Sequence, residues 1–89
     1  MSIATINNTI YLAHSCNNAI YQIENNDESF DSINVVVGNT ETFGDNTNRV
    51  IFKGTDALLT KPRNIIKNSQ NTELFFIDND KLIKNVNIA

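Results

Sequence analysis

The residues of this chain able to do chemistry are few and scattered. His14 is the only histidine and Cys16 the only cysteine. A histidine acting as general base or metal ligand needs an acid or a second ligand beside it, and none lies next to His14 in sequence. A turn position at a strand end is the simpler reading. Cys16 has no His, Lys or Arg neighbour in sequence to favour its thiolate, so it reads as a turn thiol. Asp27-Glu28-Asp31 and Asp78-Asn79-Asp80 are oxygen-rich, but neither has the alternating acidic spacing and distal Glu of a calcium loop. Both read as solvated turns. No metal, no cofactor and no catalytic group is expected, and the chain is read as non-enzymatic.

The remaining candidates cluster around one long polar segment. Residues 39–62, edged or interrupted by Gly38, Gly44 and Gly54, hold Phe43-Gly44-Asp45-Asn46. Loops of this length without secondary structure are uncommon and often functional. Phe43, Asp45, Asn46 and Phe52 in the loop, and Arg63 just beyond it, are the expected binding side chains. Side-chain-to-backbone turn bonding explains Asp45 and Asn46 equally well. Within the loop, Val50-Ile51-Phe52 reads as a short strand or an apolar contact patch. Thr55-Asp56-Ala57-Leu58-Leu59 reads as one capped helical turn.

The elements that would position these residues are strands. Ile3–Ile6, Thr9–His14, Ala19–Glu24 and 33–38 are short runs of β-formers, bounded by Asn7-Asn8, Ser15-Cys16-Asn17-Asn18, Asn25-Asn26-Asp27-Glu28 and Gly38-Asn39. That is the pattern of antiparallel hairpins. After the loop, 63–67, 73–78 and 81–87 repeat it. Matching Ile10-Tyr11-Leu12-Ala13 with Leu74-Phe75-Phe76-Ile77 aligns the two halves. Asparagine is abundant where turns are expected, because it tolerates left-handed backbone nearly as glycine does.

Two strands are informative beyond their existence. Leu74-Phe75-Phe76-Ile77 and Val35-Val36-Val37 are apolar at consecutive positions, so both faces of each need cover. The 74–77 run is expected to be the most buried element, with Phe75→Ala costing about 3–5 kcal/mol.

With 89 residues the chain is one small unit with a marginal core of its own. Its net charge of −3 gives no basic footprint, so neither nucleic acid nor an anionic membrane is expected as partner. Lys61, Arg63, Lys67, Lys81 and Lys84 make the second half relatively basic. They are not interleaved with aromatic stacking platforms and read as a solvated rim. A single cysteine allows no internal disulfide, and no apolar run approaches membrane-spanning length. A soluble protein of the cytoplasm or another intracellular compartment is expected.

Taken in order, Val36-Val37-Gly38-Asn39, Phe43-Gly44-Asp45-Asn46, Ala57-x-Leu59-x-x-Pro62-Arg63-x-Ile65, Leu74-Phe75-Phe76-Ile77-Asp78 and Leu82-Ile83-Lys84-Asn85-Val86 resemble an NHL-type β-propeller repeat. Residues 9–23 resemble the same core one blade earlier. The chain departs from the pattern at Asn64, where the family has Gly, at His14 for Asp and at Ala19 for Arg, and its turn after Asp78 is one residue short.

The resemblance implies an all-β chain of about two four-stranded propeller-type blades, the second lacking its outer strand. Blade one would span about 1–38 and blade two about 63–89, joined by the 39–62 loop. Propellers close with four to eight blades, so such a chain would complete its fold with copies of itself or with another protein. Three copies would make a six-bladed ring, and the bare edge along 81–87 would serve as a contact. The alternatives are a remnant of a longer propeller, or a fragment of an NHL-like metal-dependent lyase or hydrolase.

Overall fold

The structure, a computed structural model, describes residues 1–26, 29–40, 44, 50–51, 53–54 and 58–88. Those residues form strands and turns, with no α-helix among them and a single 3-10 turn at Ser15–Asn17. The strands are β1 (Ser2–Ile6), β2 (Thr9–His14), β3 (Ala19–Asn26), β4 (Ser29–Gly38), β5 (Val50–Ile51), β6 (Arg63–Lys67), β7 (Glu73–Asp78) and β8 (Leu82–Asn87). All-β architecture is therefore established. The expected strands lie where the β-forming runs lie, with β4 reaching further back, to Ser29, and β8 starting one residue later.

The first sheet is an antiparallel meander, β1-β2-β3-β4. The second pairs β6, β7 and β8 antiparallel, with β5 outermost. Here the expectation of a bare edge along 81–87 is corrected for Asn85 and Val86. Val50 and Ile51 run parallel to β8 opposite Asn85 and Val86. Unpaired strand donors and acceptors recruit whatever backbone lies alongside. The same segment bridges back to the first sheet, where Gly54 donates to Val36 O and accepts from Gly38 N–H.

Turns are built largely by asparagine. Asn7, Asn18, Asn64, Asn71 and Asn79 all have positive φ, as do Lys61 and Asp80. Asn64, at φ 56, lies in the irregularity between Arg63 and Ile66 on β6. Asn68 closes the β6–β7 turn, its Oδ1 accepting from the Thr72 and Glu73 N–H groups. Gly38 is a position where no side chain fits. Its φ is +102, and a Cβ there would meet Asn18 O at 2.6 Å.

The two sheets share one core. Ile6, Tyr11, Ala13, Ile20, Val36 and Val37 of the first pack with Ile65, Leu74, Phe76 and Val86 of the second, and Leu59 joins them. β1 lies beside β6, where Ser2 Oγ accepts the Ile65 N–H at 2.9 Å. Strand β7 alternates strictly: Leu74, Phe76 and Asp78 are buried while Phe75 and Ile77 are half-buried. The expectation that Phe75 sits in the packed core is thus wrong by one residue. A strand sends successive side chains to opposite faces, and only the Leu74–Phe76 face meets the other sheet.

The proline segment leading into β6 is part of this core. Leu59 and Pro62 are fully buried. Leu58 and Leu59 are not helical, and the rest of the expected helical turn, Thr55–Ala57, lies outside the described residues.

Candidate functional site

Of the expected binding residues, Phe43, Asp45, Asn46 and Phe52 lie outside the described residues. Arg63 is at the start of β6, half-exposed, with its guanidinium 3.0 Å from Asp80 Oδ1. Both partners are wet, so this pair contributes at most about 1 kcal/mol.

The best-built polar group is one that sequence reasoning missed. Asp78 and Lys84, read as solvated turn and rim residues, are both buried, with Lys84 Nζ donating to Asp78 Oδ2 at 2.8 Å. The other carboxylate oxygen, Oδ1, accepts the Thr60 N–H at 2.8 Å. Thr60 O accepts from the Asn79 N–H, and Thr60 Oγ1 donates to Gly44 O. Asp78 therefore clamps the segment entering β6 onto the end of β7. A buried charge needs a partner and filled lone pairs, and this site supplies both. The readable signal was parity: Phe76 pairs with Lys84 and Asp78 with Leu82, which puts Asp78 and Lys84 on the core face.

His14 is the first sheet's counterpart of Asp78, since each ends its strand opposite the first residue of the next, Ala19 or Leu82. It makes an edge-on contact with Tyr21, ring centroids 6.2 Å apart at 77°. Its Nδ1 is buried with no hydrogen-bond partner among the described residues. No group of three or more His, Cys, Asp or Glu able to hold a metal exists among the described residues.

Cys16 is exposed in the 3-10 turn. It lines a cavity of about 450 Å³ with Ser15, Asn18, Thr60 and Lys61. The fold thus brings a lysine into the surroundings of Cys16 that its sequence neighbours lack. Asn18 Oδ1 accepts the Lys61 N–H at 3.0 Å and ties this turn to the second sheet's entry.

Among the described residues, Tyr11 is the group whose acidity departs clearly from its ordinary value. Burial raises its phenol above the usual 10.0, and the Glu24 carboxylate pushes the same way. Because the folded value lies above the unfolded one, the native state is fully favoured below about pH 10 and loses stability as pH rises from there through the raised value. Tyr11→Phe is expected to flatten that alkaline loss, as read from urea midpoints between about pH 9 and 11; an unchanged slope would show that Tyr11 is not its source.

No helix of the described residues is long and apolar enough to cross a membrane. No family model matches the chain, and no curated protein or solved structure is significantly similar to it.

Proposed function

We propose that this chain is a non-catalytic, β-propeller-type assembly or binding module whose fold is completed by further copies of itself. The observation that carries this reading is that, among the described residues, each sheet keeps large apolar side chains exposed on its second face. Ile3, Ile33, Ile66 and Ile83 are each more than half exposed. On the first sheet one cross-strand row reads Ile3, Leu12, Tyr21, Val35, and the next reads Thr5, Ile10, Ile23, Ile33. Contiguous apolar patches of this kind mark interaction surfaces.

The resemblance to NHL repeats supports the propeller form of the proposal. So do the meander order of the first sheet and the side-by-side placement of β1 and β6, edge strands of the two sheets. The test is the mass of the native species by light scattering at micromolar concentration. A stable multiple of the 10.0 kDa chain is expected. A folded species of single-chain mass would overturn the reading.

A further inference from the structure

The two sheets are built on one plan, and the plan specifies what covers the open faces. Aligning the two hairpins at their closing pairs, His14–Ala19 and Asp78–Leu82, gives the equivalences. Leu12 pairs with Tyr21 as Phe76 pairs with Lys84, and Ala13 pairs with Ile20 as Ile77 pairs with Ile83. Ala4 stands opposite Tyr11 as Ile66 stands opposite Phe75. Ile65, one residue before Ile66, therefore stands where Ile3 stands, one residue before Ala4.

Under these equivalences the exposed positions acquire buried counterparts. Ile3 is 59% exposed while Ile65 is 4% exposed; Ile83 is 61% exposed while Ile20 is fully buried. Ile66, at 61%, matches Ala4, which packs against the core. Half-buried Leu12 matches buried Phe76. The open face of the first sheet is thus the equivalent of the second sheet's core face. The open face of the second sheet is the equivalent of the first sheet's core face. Those two core faces already pack together within the chain.

We propose that the chain associates head to tail, the open face of the second sheet in one copy seating on the open face of the first sheet in the next. The contact repeats the packing that joins the two sheets internally. The inference rests on the assembly reading above and adds its geometry: a heterologous interface between two different faces, not a self-complementary one. Both faces are suited to it. Leu12, Tyr21, Ile23 and Val35 offer the first sheet's partner no charge to desolvate, and Phe75, Ile77 and Ile83 fill the centre of the other.

Two charge substitutions test the geometry, Ile3→Glu on the first face and Ile83→Glu on the second. Both side chains are exposed in the single chain, so each variant is expected to fold, with an unchanged circular dichroism spectrum. Alone, each variant is expected at single-chain mass by light scattering where the natural sequence is a multimer. Mixed in equal amounts they are expected to form a 1:1 dimer of twice that mass and to stop there, because each contributes its one intact face. Wild-type mass in either variant alone, an Ile83→Glu dimer, or a mixture that stays monomeric would overturn the head-to-tail contact while leaving assembly itself standing. A natural chain that is folded and monomeric would remove the assembly reading and this contact with it.

Discussion

Replacing Lys84 with methionine is expected to destabilise the fold by about 3–5 kcal/mol, the cost of leaving a buried carboxylate without its counter-charge. Lys84 Nζ is 2.8 Å from Asp78 Oδ2, and the two side chains are 0% and 1% exposed. The measurement is a urea midpoint shift at constant slope. Arg63→Met is the internal comparison. It breaks the other ion pair among the described residues, with Asp80, whose side chains are 50% and 67% exposed, and at most about 1 kcal/mol is expected. Removing both charges of the buried pair, with Asp78→Leu beside Lys84→Met, should recover only part of the loss. The Thr60 N–H, which donates to Asp78 Oδ1, would then be unpaired, at about 1–3 kcal/mol. A Lys84→Met loss below about 1 kcal/mol would show that the pair is neither dry nor structural.

The second large effect is expected at Phe76. Among the described residues it is the largest fully buried side chain, between Leu74 and Asp78 on the face that meets the first sheet. Phe76→Ala should cost about 3–5 kcal/mol through lost transfer energy and the cavity left behind. For a chain of this size that is a large share of a total stability of about 5–10 kcal/mol. Phe75→Ala separates the two faces of the same strand. In a lone chain Phe75 is half-buried, so its truncation should cost clearly less than that of Phe76. If copies associate through that face, the loss at Phe75 should grow with protein concentration, because the association adds to stability by mass action. Equal, concentration-independent costs at both positions would mean that β7 has no distinction between an inner and an outer face.

The strands themselves were legible in the sequence because each is a short run of β-formers closed by asparagine, serine or glycine, and both signals act locally. Asn7, Asn18, Asn71 and Asn79 sit at positive φ in the turns between those runs, where the amide side chain's tolerance of the left-handed region suffices whatever surrounds it. The need for cover on both faces of Leu74–Ile77 was legible too, since alternation makes four consecutive apolar residues point two ways.

Only the tertiary structure decided which face is covered now. Phe75 and Phe76 are the same residue type in the same strand, and their burial differs because the second sheet packs on the first through one side alone. Asp78 and Lys84 read as surface charges because their environment is made by Thr60 and by their own pairing register, contacts spanning up to 18 residues of sequence. The pairing of β5 with β8 joins Val50 to Asn85, a parallel contact that no local propensity announces. Local propensity and turn chemistry determined the strands and their order. Which charges went dry, which strand edge was covered and which apolar face stayed open depended on non-local packing, whose energy appears only when the two sheets meet.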